Sequence, residues 1–238
     1  MEKILHKSDT RGHVNHGWLN AKHSFSFASY YNPERMNFGA LRVLNDDIVQ
    51  PKMGFGTHPH QNMEIITIPL KGALSHKDSM GNKRTIEDNE IQVMSAGTGV
   101  THSEFNDSKK EEVSLLQLWI IPQEMNIKPN YEQRQFSEEG KMNQIQTVVA
   151  PKDKLEGEAL PISQQAYIYR TDLSSNNSIS LKLKEENNGF CIFNVDGTLY
   201  IAEETIQRRD AIGIYDTDGI EINANEDSEL IIIEIPMI

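Results

Sequence analysis

Cysteine is almost absent from this chain: one residue, Cys191, in 238. One thiol cannot close an internal disulfide, so a disulfide-stapled secreted scaffold is excluded, as is a zinc site needing two or four thiolates. Long apolar runs are missing too. The longest are about eight to nine residues, well short of the ~20 that span a bilayer. The N-terminus, MEKILHKSDTRGH, has no apolar stretch of the kind a signal peptide carries, so the cytoplasm is the expected location and no membrane association is expected. Positive charge is scarce, with 23 Lys+Arg against 35 Asp+Glu and a net charge of -12. Such a chain repels phosphate backbones, which argues against direct nucleic-acid binding. No segment carries a long 3.6-residue apolar stripe, so long amphipathic helices are not expected either.

What is present is alternation. Apolar residues recur with period two, or in short runs bounded by turn residues, at Phe38–Leu44, Met63–Leu70, Val113–Ile121, Ile145–Val149, Ala166–Arg170, Ser178–Lys184, Phe190–Val195, Thr198–Ala202 and Leu230–Ile235. Many short strands with turns between them predict an all-β sandwich or barrel. Asp196-Gly197 and Asp218-Gly219 each lie between strand-like runs and predict tight hairpins, because Asp-Gly supplies the positive φ of a type I′ turn. The stretch PQEMNIKPNYEQRQFSEEGKMNQ (residues 122–144) is polar and proline-bearing, and predicts a connection with one short helical turn near Ser137–Lys141. The two sides of it look like diverged copies: MEIITIPLKGALS, EIQVMSAGTG and VSLLQLWIIP against GFCIFNVDGTLYI, AIGIYDTDG and SELIIIEIP. The expected domains are 1–135 and 136–238, two similar β-barrels in tandem.

Chemistry is distributed unevenly between them. All eight histidines precede residue 103, and the acidity lies in the other half: residues 1–125 carry a net -2 and residues 126–238 a net -10. Imidazole chemistry is therefore confined to the first barrel. His58 and His60 stand two apart in GFGTHPHQNMEIITIPLKG, and His102 and Glu104 two apart in MSAGTGVTHSEFN. Residues at i and i+2 of a strand share a face. Two such pairs on neighbouring strands would converge as three imidazoles and one carboxylate. That set suits Fe, Mn, Co, Ni, Cu or Zn and argues against Ca and Mg, which prefer all-oxygen shells. Phe38, Phe55 and Met94 are candidate apolar walls of a substrate pocket. His13 and His16 read as a solvated loop, His23 as a rim residue, His76 as a histidine with no ligand partner, and Cys191 as a buried, inert thiol.

The stretches HSFSFASYYNPERMNFGALRVLNDDIV (23–49), GFGTHPHQNMEIITIPLKGALSHKDSMGN (54–82) and IQVMSAGTGVTHSEFN (91–106), with WIIPQ (119–123) and PNYEQ (129–133), resemble the pirin family of bicupins. The resemblance is greatest to the bacterial branch that includes quercetin 2,3-dioxygenase-like proteins. It implies two cupin barrels with one divalent metal, iron first, held in the N-terminal one by His58, His60, His102 and Glu104. Glu64, which occupies the usual glutamate of the first cupin motif, is then a neighbour that could orient an imidazole N–H. Two positions depart from the general cupin pattern: Lys52 replaces a motif glycine, and Ser95–Gly97 lacks a proline. Aligning Gly72 with Gly197 puts Leu183 and Glu185 of the second barrel where His58 and His60 stand in the first, so no second metal is expected.

The implied activity is dioxygenation of a small aromatic, flavonol-like substrate, with the metal acidifying the substrate hydroxyl and Glu104 as base. The alternative is a metal-dependent redox sensor that binds a protein partner without turnover.

Overall fold

The alternation seen in the sequence becomes alternating burial. Along Val100–Phe105 every second side chain, Val100, His102 and Glu104, is buried, and so are Leu19, Ala21 and His23 along Leu19–His23. The computed structural model describes residues 1–238 and contains 22 β-strands and two single 3₁₀ turns, at Ser8–Thr10 and Glu139–Lys141. No helix is long and apolar enough to cross a membrane. The strands expected from the sequence are present, as Leu41–Val49, Glu64–Lys71, Val113–Ile120, Gln146–Pro151, Tyr167–Leu173, Ser178–Lys182, Asn188–Asp196, Leu199–Ile201 and Ser228–Pro236.

They form four sheets, a seven-stranded and a four-stranded one in each half. In the first half the large sheet runs, in spatial order, through Asn130–Gln135, Glu90–Ser95, Glu64–Lys71, Val113–Ile120, Leu41–Val49, Leu19–His23 and Gly12–Asn15. The small sheet facing it runs through Gly54–His60, Val100–Phe105, Leu74–Asp78 and Lys83–Ile86. The second half repeats this plan. The two large sheets pack back to back through a cluster of 26 buried residues drawn from both halves, among them Leu44, Ile66, Leu118, Val149, Ile168, Phe193 and Ile233. At about 25 cal/mol per Å² of apolar surface, this shared layer makes the two barrels one packed unit rather than beads on a linker.

The edges interlock. Asn130–Gln135, which follows the first barrel, closes the open edge of that barrel's large sheet by pairing with Glu90–Ser95. The corresponding edge of the second barrel is covered from the other end of the chain. It is filled by the N-terminal strand, Glu2–His6, paired antiparallel with Ala211–Tyr215. Residues 2–6 thus lie in the sheet of the C-terminal half, across the division at 135/136. Leu5 packs on the second barrel's core, and Lys3 and Lys7 pair with Glu204 and Asp210.

Two turn expectations are corrected. The strands flanking Asp196-Gly197 do not pair with each other, nor do those flanking Asp218-Gly219. Both dipeptides carry the chain from a large sheet to the small sheet opposite. Gly197 does hold a positive φ, 84°, but Gly219 does not. Lys52, in the position of the motif glycine, has φ 62°, so the turn requires a left-handed residue and has a lysine in it.

Candidate metal centre

The site is built on the small sheet of the first barrel. Val100–Phe105 lies between Gly54–His60 and Leu74–Asp78, antiparallel to both. The register sets His102 opposite His58 and Val100 opposite His60. Pro59 needs no ladder donor because its strand is at the sheet edge. A β-bulge shifts the pairing with Gly54–His60 so that Glu104 faces Phe55 there, while the regular pairing with Leu74–Asp78 sets Glu104 opposite His76. Gly54 lets the strands approach: a Cβ there would sit 2.2 Å from the Glu104 carbonyl oxygen.

The three imidazoles of His58, His60 and His102 are mutually adjacent, with ring centroids 4.4–4.8 Å apart. Their ligand atoms all lie within 4.8 Å of one another, and the same holds for His76, His102 and Glu104. His58, His60 and His102 thus form one group, and Glu104 belongs with His76 to a second group that shares His102. His58 Nδ1 is hydrogen-bonded to the Gly56 carbonyl at 2.8 Å, which leaves Nε2 for a ligand. His102 is fully enclosed, and neither ring nitrogen has a partner. Burial, reinforced by neighbouring histidines, pushes its pKa down to about 2 and that of His60 to about 4. Both rings are therefore neutral at pH 7, the form that binds metal.

Glu104 is held from below. Its Oε2 accepts from Gln117 Nε2 at 3.1 Å and its Oε1 from Thr67 Oγ1 at 3.4 Å. Burial raises its pKa, against the opposing pull of His76, Gln117, His58 and Thr67. Beyond it, inside the same barrel, the Asp47 carboxyl is pushed up to about 8 by burial, with Asp46 and Glu104 adding to the effect.

His76 corrects the sequence reading. It is not an isolated histidine: it is buried opposite Glu104, with Nε2 3.2 Å from Asp78 Oδ2, Nδ1 unpartnered and its ring 4.7 Å from that of Tyr131. Trp119 is the other residue not anticipated. Its ring meets His60 edge-on at 4.8 Å, and its buried Nε1–H has no acceptor. Period two along Val113–Ile120 was the available signal, because Leu116, Leu118 and Ile120 form the inter-barrel layer and so Gln117 and Trp119 must face the barrel interior.

Further expectations change. Glu64 does not orient an imidazole. It alternates with Ile65, which packs behind the site, and so faces the second barrel; Ser95 Oγ of the neighbouring strand donates to it at 2.6 Å, and the Ser163 backbone of the second barrel also bonds it. Phe38 belongs to the inter-barrel core and contacts Gly213 and Tyr215. Phe55 is edge-on to Trp18 at 5.2 Å, and Met94 is buried with Ile65, Ala96 and Val100. The cleft that opens at His60, about 480 Å³, is lined instead by Pro59, Gln61, Ser79, Thr98, Gly99 and Thr101 with Val100. His23 is buried with Nδ1 2.9 Å from Asn45 Oδ1, His13 is exposed, and Cys191 is enclosed with its thiol pushed up to about 12 by burial.

The repeat can be aligned by ladder rather than by turn. Leu74 corresponds to Leu199, so His76 corresponds to Ile201. Ile201 pairs with Ile222 as His76 pairs with Glu104. Continuing, Ile220 stands for His102, and its partner Leu181 for His58, with Leu183 for His60. The earlier placement of Leu183 and Glu185 is thus two residues out of register. All five positions are aliphatic and belong to or pack against one apolar core.

Comparison with known proteins agrees with this architecture. The Pirin family model matches residues 5–120 and the Quercetinase C-terminal cupin domain matches residues 147–235. The chain is 43% identical over 233 residues to a quercetin 2,3-dioxygenase of Escherichia coli, covering 98% of each, and 37% identical to a pirin-like protein of Caulobacter vibrioides, covering 95% and 96%. The crystal structure of the bacterial pirin YhhW of E. coli in complex with nickel(II) superposes with a TM-score of 0.93 at 40% identity over the whole of both chains. With both halves matched and nearly the full length shared, the chain belongs to the pirin family of two-barrel cupin proteins.

Proposed function

We propose that the protein is a metal-dependent dioxygenase of flavonol-like compounds, using one divalent first-row ion held by His58, His60, His102 and Glu104. The observation that carries this reading is His102: two buried, unpartnered nitrogens, in a neutral ring, within 4.8 Å of the ligand atoms of His58 and His60. Buried polar atoms without partners are costly, and a bound cation would satisfy the ring nitrogen of His102 that bears the lone pair. Iron is our assignment for the ion, and nickel is the ion in the E. coli pirin complex. Bound there, such an ion supplies a Lewis acid that acidifies an enolic hydroxyl and a centre at which dioxygen chemistry can proceed.

The chain supplies the rest. Gln117 and Thr67 fix the Glu104 carboxylate, which accepts the substrate's hydroxyl proton. Burial raises the pKa of this carboxyl, which strengthens the carboxylate as a proton acceptor. Trp119 packs edge-on against the His60 ring and helps to fix its orientation. The cleft beside His60 is of the size that small ligands occupy. We assign the chemistry to residues 1–135 and a metal-free supporting role to residues 136–238.

The test is oxygen uptake by metal-loaded protein given quercetin. Uptake is expected, with Glu104→Gln lowering it by about 10²-fold. Fully loaded protein that consumes no oxygen with any flavonol would end this reading.

A further inference from the structure

A second cleft, of about 420 Å³, lies where the two barrels meet, lined by none of His58, His60, His76 and His102. Arg11, Lys22, Arg208 and Arg209 line it against Asp9 and Asp46, a net positive surface on a chain of net charge -12. Strand register explains the gathering. Lys22 pairs with Asp46, and Asn20 and Ser114 both pair with Ile48, so these side chains share the outer face of the first barrel's large sheet. Arg208 and Arg209 come from the second barrel, and Arg209 is presented by a left-handed residue of φ 65°.

The charges are incompletely matched. Asp46 alone receives both Arg209 Nη1, at 3.0 Å, and Arg11 Nη2, at 3.4 Å. The Arg11 side chain is only 2% exposed, and its Nε and Nη1 have no hydrogen-bond partner; the guanidinium rests over the Phe193 ring at 5.4 Å. A buried guanidinium with idle donors is costly unless something accepts from it. Asn20 is oriented by His13 through its Oδ1, at 2.8 Å, which leaves its NH₂ group to donate. The loop is rigid, because Asp210 accepts from the Ser8 backbone at 2.7 Å and from Lys7 Nζ at 2.9 Å.

We infer that this inter-barrel cleft binds a small phosphate-bearing anion, its oxygens taken by Arg209, Lys22 and the Asn20 amide, with the buried guanidinium of Arg11 adding positive charge behind them. Guanidinium forks combined with an ammonium and neutral donors suit a phosphate group. Because both barrels contribute, occupancy would tie them together.

Calorimetric titration of the metal-loaded protein with inorganic phosphate, and separately with AMP, at constant ionic strength tests this. One saturable site per chain is expected. Lys22→Gln and Arg209→Gln should each weaken it at least tenfold and leave metal content unchanged. AMP binding tenfold tighter than phosphate would identify an organic phosphate as the ligand, and equal affinity would identify the free ion. Absence of saturable binding overturns the inference. So does binding that neither substitution weakens, since that places phosphate at the metal or at scattered surface charge.

Discussion

At the scale of single residues, the interior of the first barrel is unusually polar, and its groups differ in the state burial imposes. Asp47 shows the effect most simply. Its folded pKa, about 8, lies above the unfolded value of 3.8. The folded chain therefore keeps a proton that the unfolded chain releases between these values, and stability from this group is full below pH 4 and lost as pH rises to 8. Asp47→Asn should stabilise the protein by on the order of 2 kcal/mol at pH 7.5 and by little at pH 4, as denaturant melts at the two pH values would show. Lys52 offers a second check. Holding φ at 62° strains a lysine but not a glycine, so Lys52→Gly should raise stability by about 0.5–1 kcal/mol despite losing the bond from Nζ to the Asp107 carbonyl. Gln117 acts through Glu104 rather than on substrate. Gln117→Leu should cost about 10- to 100-fold in metal affinity while leaving the melting temperature of the metal-free protein nearly unchanged.

At the scale of strands, period two was enough to locate the sheets and the His-x-His and His-x-Glu faces. It could not say what each face meets. Both faces of the large sheets are buried, one in a barrel and one in the inter-barrel layer, so Phe38 and Glu64 alternate correctly yet face away from the site. Pairing was equally hidden. Within its own strand His76 has Asp78 two residues on, and only the cross-strand register brings it to Glu104. Asp-Gly encodes a local turn but not which sheet the chain enters next, and so the two dipeptides read as hairpins are arches instead. The N-terminal strand is the clearest non-local feature, pairing residues about 210 positions apart in sequence. Leu5→Asp should destabilise the second barrel by about 2–3 kcal/mol, because it places a charge against that barrel's core, while metal content stays at the wild-type level.

At the scale of the molecule, the duplication has diverged by exchanging polar for aliphatic interiors. Five positions that in one barrel are His58, His60, His76, His102 and Glu104 are in the other leucine or isoleucine. One barrel keeps a polar interior at a cost in stability, and the other is filled as core and supports it through the shared layer. The cost is visible in pH. His60, at about 4, and His102, at about 2, titrate below the ordinary 6.5 because burial disfavours their charged forms. Between pH 6.5 and 4 the unfolded chain takes up protons that the folded chain excludes. The metal-free protein should therefore lose stability as pH falls through that window, and a bound metal should oppose the loss at pH 6–7.

The most direct measurement is a titration of metal-free protein with a divalent ion while quercetin-dependent oxygen uptake is followed. Uptake should rise in proportion to added metal and break at one equivalent per chain, since only the first barrel carries the ligands. A break at two equivalents, or no uptake at full loading, would contradict the assignment.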